Sequence, residues 1–275
     1  CDQLELRRIY VYGATDPAGT YVLNDGRGVD FGGGSGEIHD SECYASDECW
    51  IGHGIPSGPM KIYNSHAECN GNQDKQCVAA VYPWVIEMYD SFATGVHGRT
   101  DGLRVERSKI GVGGVSLNTT YTNENMTAVV AHNVFDMAGS SNDAFYGVGS
   151  NGYDLTIYAY NNSYQGGGDG WGAFAEGGDV TIYSYNNIWD EPERRYLAKN
   201  GGTVIADHDI TYNQALGDYD FSGSGTITIT NAIAAASDPL PNATTDWTPG
   251  AEAVDAGRDM CAESFVTVAT DPSSI

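Results

Sequence analysis

Basic side chains are scarce in this chain, and four of them lie close together in the sequence. The chain holds 13 Lys and Arg residues, and within positions 99–109 stand Arg99, Arg104, Arg107 and Lys109. Guanidinium and ammonium groups bind carboxylates strongly, so this basic cluster could hold an acidic ligand. The alternative is ordinary ion pairing with neighbouring acids such as Asp101 and Glu106.

His53 is a second candidate for chemistry. It stands in the sequence Gly-His-Gly-Ile at 52–55, and an imidazole titrates near neutral pH, which suits acid–base catalysis. His66, Glu68 and His97 could join it on neighbouring strands as an acid–base or metal cluster, although their spacing matches no established metal motif. A glycine-flanked turn is the alternative interpretation of His53.

No resident cofactor is predicted, and calcium is the one ion that the composition makes possible. Ca²⁺ binds carboxylate oxygens, and the candidate ligands are Asp40, Glu42, Asp47 and Glu48. A solvated acidic surface explains the same residues without any ion.

Cysteine usage indicates an oxidising compartment. The six cysteines are Cys1, Cys43, Cys49, Cys69, Cys77 and Cys261. The short separations of Cys43 from Cys49 and of Cys69 from Cys77 predict disulfides, and no C-x-x-C pair indicates zinc. Four N-x-S/T sequons permit N-glycosylation, at Asn118, Asn125, Asn161 and Asn242. We therefore expect an extracellular or cell-surface protein.

The overall charge of the chain is strongly negative. The 37 Asp and Glu residues outnumber the 13 Lys and Arg residues and give a formal net charge of −24. Such a surface repels phosphate backbones, which argues against a nucleic-acid partner. Hydrophobic residues make up 41% of the chain, too many for a disordered protein. No run approaches the roughly 18–20 apolar residues that span a bilayer, so no membrane span is predicted.

A recurring pattern runs through most of the sequence. Each instance is a short alternating strand followed by an Asn, Asp or Ser anchor, and the anchors are Asp40, Asn64, Asp90, Ser108, Asn133, Asn162, Asn187, Asp209 and Asn231. Their mean spacing of about 24 residues is typical of a solenoid. Val, Ile, Tyr and Thr dominate the strands and no helical periodicity intervenes, so each repeat predicts one turn of a parallel β-helix. The anchors are expected at sharp bends, because Asn and Asp tolerate left-handed backbone.

Two neighbouring repeats indicate which side chains should face the core. Alternation along a strand predicts inward side chains at positions 155, 157, 159, 180, 182 and 184. Phe135, Tyr164 and Trp189 hold the same place after their anchors and should stack on successive coils. The register of other repeats, such as those holding Met88 and Ile229, differs by one residue, so the anchors are defined only to within one position.

The same two repeats predict rows of aromatic side chains on the outer surface. Tyr158 should lie beside Tyr183, and Tyr160 beside Tyr185, with Trp171 nearby. Such rings could stack on sugars or form a protein interface. The alternative is the ordinary preference of Tyr for half-exposed strands.

The repeat resembles the right-handed parallel β-helix, or pectate-lyase-like, superfamily of secreted proteins. Residues 248–257, Thr-Pro-Gly-Ala-Glu-Ala-Val-Asp-Ala-Gly, resemble the P-G-S-P-A-hydrophobic-D-A-G segment that closes many of these proteins, with Ala-Glu in place of Ser-Pro. The resemblance implies an all-β, single-domain, right-handed parallel β-helix of about nine or ten coils. We expect an N-terminal cap or first coil at 1–35, the repeats at 36–237 and a C-terminal cap at 238–275.

The resemblance also implies an extracellular role and often a polysaccharide ligand, although a fold does not imply catalysis. In β-helix lyases, Arg or Lys holds the uronate carboxylate and abstracts the C5 proton. By this resemblance Arg107 or Lys109 would be the base, and Arg99 or Arg104 would bind the carboxylate. The motif around His53 resembles a short motif of polygalacturonases, but the paired aspartates of those hydrolases are missing. If the chain is an enzyme, a lyase therefore fits better than a hydrolase.

The two ends of the predicted solenoid suggest a different function. Cys1 and Cys261 have no near partner in sequence, and about nine coils would separate the ends by roughly 40 Å. Either the caps fold back, or Cys1 of one subunit meets Cys261 of the next in a head-to-tail contact. We therefore predict a non-catalytic, self-associating fibre or surface-layer protein. The alternatives are a lyase or hydrolase of acidic polysaccharides, and a carbohydrate-binding adhesin or receptor-binding module.

Overall fold

A computed structural model of the protein describes most of the chain. The described residues are 3–12, 28–45, 48–69, 77–81, 84–99, 102–119, 124–149, 152–166, 171–190, 192–214, 216–220 and 224–240. Within them the chain forms 25 strands and no helix.

The strands alternate with bends along the whole described chain. They are β1 (Gln3–Arg7), β2 (Tyr10–Tyr12), β3 (Val29–His39), β4 (Glu42–Ala45), β5 (Trp50–Tyr63), β6 (His66–Cys69), β7 (Val78–Val81), β8 (Val85–Tyr89), β9 (Phe92–Arg99), β10 (Gly102–Glu106), β11 (Lys109–Asn118), β12 (Met126–Ala131), β13 (Val134–Asp136), β14 (Phe145–Val148), β15 (Leu155–Tyr160), β16 (Ser163–Gln165), β17 (Trp171–Glu176), β18 (Val180–Tyr185), β19 (Ile188–Asp190), β20 (Arg194–Lys199), β21 (Thr203–Asp207), β22 (Ile210–Tyr212), β23 (Tyr219–Asp220), β24 (Thr226–Thr230) and β25 (Ile233–Ala234).

Every described strand pairs in parallel with its counterpart in a neighbouring coil, which builds three sheets. The first sheet runs in the order β1, β3, β5, β8, β10, β12, β15, β18, β21, β24. The second runs β2, β4, β6, β9, β11, β13, β16, β19, β22, β25. The third runs β3, β5, β7, β9, β11, β14, β17, β20, β23.

This arrangement is a parallel β-solenoid, and it confirms the predicted all-β parallel β-helix. The long strands β3, β5, β9 and β11 pass through a bend, and each contributes to two sheets. Stacking satisfies most backbone groups, because each strand bonds to the strands of the coils above and below it. The architecture is consistent with the right-handed β-helix that the resemblance implied.

The core is a continuous column of inward side chains, as alternation predicted. Positions 155, 157, 159, 180, 182 and 184 are all buried. Phe135 pairs in register with Tyr164, and Tyr164 with Trp189, and all three side chains are buried. The predicted stack of aromatic rings on successive coils is therefore confirmed.

The bends between the first and second sheets contain the predicted anchors, but at five of them the left-handed residue lies one position before the anchor. At each of these bends one residue takes left-handed backbone, with φ between 45° and 57°, and these residues are Arg8, Asp40, Asn64, Asp90, Arg107, His132, Asn161, Asn186, His208 and Asn231. The predicted anchors at Asp40, Asn64, Asp90 and Asn231 are among them. Those at 108, 133, 162, 187 and 209 lie one position later, so the expectation of left-handed backbone there is wrong. Each of these five bends uses two adjacent residues, one with left-handed backbone and one with an inward polar side chain. The sequence pattern did not distinguish these two positions.

At eight of these ten bends, the residue after the left-handed position belongs to a buried polar ladder. Its members are Ser41, Ser65, Ser91, Ser108, Asn133, Asn162, Asn187 and Asp209. From Ser41 to Asn187 the backbone N–H of each member donates to the side-chain oxygen of the next, over 2.7–3.2 Å. The bend interrupts sheet pairing, so these side chains satisfy buried N–H groups that would otherwise have no partner.

The cysteines pair as their spacing predicted. Disulfides join Cys43 to Cys49 and Cys69 to Cys77, and all four side chains are buried. Cys1 and Cys261 lie outside the described residues, so their pairing remains a prediction.

The proposed boundaries of the two caps also remain predictions. β1 and β2 supply the first strands of two sheets. Most of the expected C-terminal cap, from 241 onward, lies outside the described residues. Among the residues that are described, no helix has the length and hydrophobicity needed to cross a membrane.

Candidate functional site

The solenoid distributes the basic cluster over different faces. Arg104 belongs to the first sheet and forms an ion pair with Glu106. Arg107 lies in the bend, where its Nε and Nη2 atoms each lie 2.9 Å from a carboxylate oxygen of Asp90. Because β10 ends before this bend and β11 begins after it, strand alternation does not place Arg107 and Lys109 on one face.

Lys109 and Arg99 occupy the other two sheets. Lys109 opens the second-sheet part of β11, and its Nζ atom lies 2.8 Å from Asp136 Oδ2. Arg99 ends β9 on the third sheet. Arg104, Arg107 and Lys109 thus each have a carboxylate partner, as the ion-pairing interpretation expected, and Arg99 lines the groove described below.

The histidines do not gather into one cluster. His53 lies on β5, and its Nδ1 atom is 2.6 Å from Asp30 Oδ1. His97 lies on β9 of the same sheet, and β7 lies between the two strands. His66 belongs to the second sheet and contacts Glu68 over 3.3 Å.

The structure gives no support to a metal cluster among the described residues. The single group of His, Cys, Asp or Glu side chains close enough to hold an ion is Cys49, Cys69 and Cys77. These sulfurs are already engaged in the two disulfides. Of the suggested calcium ligands, Asp47 lies outside the described residues, and a calcium site remains a prediction.

The tyrosine rows pair as predicted, but only one of them is accessible. Tyr158 and Tyr183 stack with ring centroids 5.1 Å apart and an interplanar angle of 11°, and both are partly exposed. Tyr160 and Tyr185 also pair in register. They are only 2% and 7% exposed and pack with Ala131, so their rings are not available to stack on a ligand.

The outer face of the third sheet carries an open groove of about 490 Å³, which we call the third-sheet groove. Its floor includes His97, Ser116 and Tyr146, which occupy paired positions on β9, β11 and β14. Its remaining lining is Arg99, Gly113, Asn118, Ser141, Asn142, Asp143, Val148 and Trp171. The segment between β13 and β14 therefore forms one wall of the groove. Trp171, the first residue of β17, contributes its indole ring to the lining.

Asp143 is the one carboxyl group among the residues that line the groove. Burial raises its pKa to about 7, and a hydrogen bond from the backbone N–H of Trp171 opposes the shift only in part. The backbone at 143 passes very close to Gly114, which has φ of 60°, and a Cβ atom there would lie 1.9 Å from the carbonyl oxygen of Asp143. Glycine at 114 is therefore required for the wall to approach the floor.

Tyr146 begins a chain of polar contacts that leaves the groove along the sheet. Its hydroxyl donates to Glu176 Oε2 over 2.8 Å, and Glu176 Oε1 lies 2.6 Å from Lys199 Nζ. Burial alone would raise the pKa of Glu176, but the hydrogen bonds from Lys199 and Tyr146 lower it below its usual value. Burial and the bond to Glu176 raise the pKa of Tyr146, so Tyr146 stays a neutral donor.

Neighbouring groups hold the indole of Trp171 in place. Its Nε1–H donates to Glu193 Oε2 over 3.1 Å, and its ring packs edge-to-face against Phe174 with centroids 5.3 Å apart. The side chain nevertheless stays partly exposed. A fixed, half-exposed indole beside polar side chains is a surface on which a sugar ring can stack.

Sequence reasoning had named four members of this groove for unrelated reasons, with His97 as part of a possible acid–base or metal cluster and Asn118 as a sequon, and had missed the rest. Arg99 was singled out as a possible carboxylate ligand, and Trp171 as an aromatic contact. Asp143 and Tyr146 carry no local motif, because they reach the groove only through the bend and the stacking of coils. Their roles, like those of the other candidate residues, remain to be tested.

Comparison with known proteins adds no family to this description. No protein-family model, no curated protein and no solved structure matches the chain. The structure shows a parallel β-solenoid consistent with a right-handed β-helix, and no comparison assigns the chain to the pectate-lyase-like superfamily.

Replacing Asp143 with asparagine should change how stability depends on pH. The folded pKa of about 7 lies above the ordinary value of 3.8, so the folded state binds the proton more tightly than the unfolded state. This group therefore costs stability progressively as pH rises from about 4 to about 7. At 1.36 kcal/mol per pKa unit, Asp143→Asn should gain about 2–4 kcal/mol on the wild type between pH 4.5 and pH 8.

Urea denaturation midpoints at the two pH values would measure this effect. Asp154→Asn, at an exposed aspartate, is the matched control and should follow the wild type at both pH values. Parallel pH profiles for wild type and Asp143→Asn would contradict the raised pKa of Asp143.

Proposed function

We propose that this protein is an extracellular or cell-surface β-solenoid that binds an acidic carbohydrate in the third-sheet groove. The observation that carries the proposal is the convergence of Arg99, Asp143 and Trp171 on one open groove of about 490 Å³. Binding sites of this size combine a few directed polar groups with an aromatic surface. The guanidinium can hold a carboxylate, and the indole can stack on the ring that carries it.

The charges around the groove favour an acidic ligand despite the net charge of −24. Glu176 is paired with Lys199, and Asp143 is partly protonated at neutral pH because of its raised pKa. Arg99 is the one Lys or Arg side chain among the residues that line the groove. A carboxylate of a uronic-acid polymer would meet a local cation on a surface that is otherwise repulsive.

Cleavage of the same ligand is the second candidate function, and the pKa of Asp143 favours it. A carboxyl group with a pKa of about 7 can donate or accept a proton near neutral pH. By contrast, the lyase roles inferred for Arg107 and Lys109 have no geometric support, since those side chains lie outside the groove with Asp90 and Asp136.

The extracellular location is supported by two observations. The two disulfides suit an oxidising compartment, and the sequon residues Asn118, Asn125 and Asn161 are at least partly exposed. Asn118 also lines the groove, so a glycan on it would obstruct the ligand. Binding should therefore be measured on protein made without N-glycosylation.

Affinity measurements on a panel of uronic-acid polymers test the binding proposal. Trp171→Ala and Arg99→Ala should each weaken binding about tenfold or more. Tyr158→Ala, which alters the accessible tyrosine row on another sheet, is the control and should bind as the wild type does. If Tyr158→Ala loses binding while both groove variants retain it, the adhesin surface is the tyrosine row and the groove proposal fails.

The same incubations distinguish binding from cleavage. New unsaturated ends would indicate a lyase, and new reducing ends without unsaturation would indicate a hydrolase. Loss of either product in Asp143→Asn with binding retained would place the proton transfer at Asp143. The predicted fibre function is a separate proposal that depends on the two ends of the solenoid.

A further inference from the structure

The first coil ends the solenoid with strand edges and apolar side chains that are accessible. Within the described chain, β1 pairs only with β3 and β2 only with β4. Leu4 is 41% exposed and Tyr10 is 63% exposed, although Leu6 and Val11 beside them pack against the core. Open edges of parallel strands are templates for a further strand.

The last described coil also has open strand edges and partly exposed apolar side chains. β24 pairs only with β21, and β25 only with β22, among the described strands. Ile227 and Ile229 pack against the core yet remain partly exposed. Their partners one coil earlier, Val204 and Ala206, are fully buried, so among the described residues the last coil lacks the cover that internal coils receive.

The two ends match in register as well as in exposure. β1 and β24 are both five-residue strands, and each is followed by a left-handed residue, Arg8 or Asn231, and then by a short second-sheet strand. Following the pairings coil by coil, Leu4 occupies the position of Ile227, and Leu6 that of Ile229. The first coil of one copy could therefore follow the last coil of another with no change in the hydrophobic register.

The charges of the two ends are complementary. The described residues of the first coil, 3–12, carry Arg7 and Arg8 beside a single acid, Glu5, whereas residues 200–257 contain no Lys or Arg. The last coils instead hold acids, among them Asp207, Asp218 and Asp238. In a continued stack Arg7 would follow Thr230, whose own neighbour one coil earlier is Asp207. Opposite charges at the two ends favour a head-to-tail encounter over pairing of like ends.

We propose that the partner of each end is a second copy of this chain. The first coil of one molecule stacks on the last coil of another, and the three sheets continue across the junction by parallel strand addition. This contact is heterologous and does not close on itself, so it generates a linear filament. Ten strands at the 4.8 Å strand spacing predict an axial repeat of about 48 Å. The inference is independent of the groove.

Paired end variants of the full, unreduced chain test the proposal. Leu4→Asp places an uncompensated charge on the first coil, and Ile227→Asp does so on the last. Each variant alone should remain monomeric at concentrations at which the wild type forms polymers in sedimentation velocity and electron microscopy. An equimolar mixture should form a one-to-one heterodimer, because each variant retains the end that the other has lost.

Two further measurements keep the outcome unambiguous. Thermal unfolding followed by circular dichroism must show that both variants fold; if Ile227→Asp does not, Thr228→Asp replaces it.

Hydrogen exchange should show that amides of β1 and β24 become protected as the wild-type concentration rises. A monomeric wild type with protection that does not depend on concentration would mean that each edge is covered within one chain. Polymers that persist in both variants would place the contact elsewhere. Either result overturns the proposal.

Discussion

Replacing Asp209 with alanine should lower the free energy of unfolding by about 3–5 kcal/mol, because it breaks a buried hydrogen-bond network and leaves several donors unsatisfied. Asp209 is fully buried at the end of the polar ladder. Its Oδ1 accepts the backbone N–H of Asn187 over 2.7 Å. Its Oδ2 accepts bonds from Ser184 Oγ at 2.5 Å, from Trp189 Nε1 at 3.2 Å and from the hydroxyl of Tyr196.

The size of this effect follows from the number of donors that share one carboxylate. Alanine would leave the donors from Ser184, Asn187, Trp189 and Tyr196 buried without their acceptor, and each such group costs about 1–3 kcal/mol unless the structure relaxes. Asp209→Asn should cost less than Asp209→Ala. The hydroxyl groups of Ser184 and Tyr196 can rotate to accept a hydrogen bond from the new amide. The indole N–H of Trp189 can only donate, so its bond is the one that asparagine would lose.

Chemical denaturation at constant pH measures the loss at position 209. Burial raises the pKa of Asp209, so the comparison must be made at a single pH. Asp154→Ala, at an exposed carboxylate, is the control and should change stability by no more than about 0.5 kcal/mol. If Asp209→Ala proved as stable as this control, the ladder would not depend on its terminal carboxylate.

Replacing Asn162 with alanine should destabilise the protein by about 2–4 kcal/mol. The Oδ1 atom of Asn162 accepts the backbone N–H of Asn133 over 2.9 Å. Its Nδ2 donates to the carbonyl oxygen of Val130 over 2.8 Å and to Asn187 Oδ1 over 3.0 Å. Alanine removes all these bonds from a site that water does not reach, and it leaves a cavity in place of the amide.

Serine at the same position is the matched control, because the chain itself uses serine in four coils of the ladder. Ser91, for example, accepts the backbone N–H of Ser65 over 3.1 Å and donates to the carbonyl of Tyr89 over 2.7 Å. Asn162→Ser should therefore keep the acceptor for Asn133 and lose about half as much stability as Asn162→Ala. Equal losses in the two variants would show that side-chain volume, rather than the hydrogen bond to the bend, is what matters.

The stack of coils was predictable because its signals are local and repeated. Alternation in residues 155–160 and 180–185 places the same side chains inward in each coil, and the structure pairs these strands position by position. The disulfides were predictable for a similar reason, since Cys43 and Cys49 are six positions apart in sequence and Cys69 and Cys77 are eight. A short separation in sequence enforces proximity whatever the rest of the chain does.

The bends were only partly predictable. A small polar residue at the bend was evident from the sequence, but two adjacent positions share the requirement. One adopts left-handed backbone and the other turns its side chain inward to accept a buried N–H. In coils such as Asn161–Asn162 both residues have the same type, so composition alone does not distinguish their roles.

The sequence by itself determined the parallel solenoid, its aromatic core column and its two disulfides. Periodic burial is recorded within each strand, and the paired cysteines are close together in sequence. Only the tertiary structure decided which polar residues meet. Arg99, Arg104, Arg107 and Lys109 are neighbours in sequence, yet a coil turns across three sheets within about 24 residues and sends them to different faces. Arg99, Asp143 and Trp171 are distant in sequence, and stacked coils bring them to one groove. Which side chains meet across neighbouring coils depends on the length of each segment between them. No short sequence pattern contains that information.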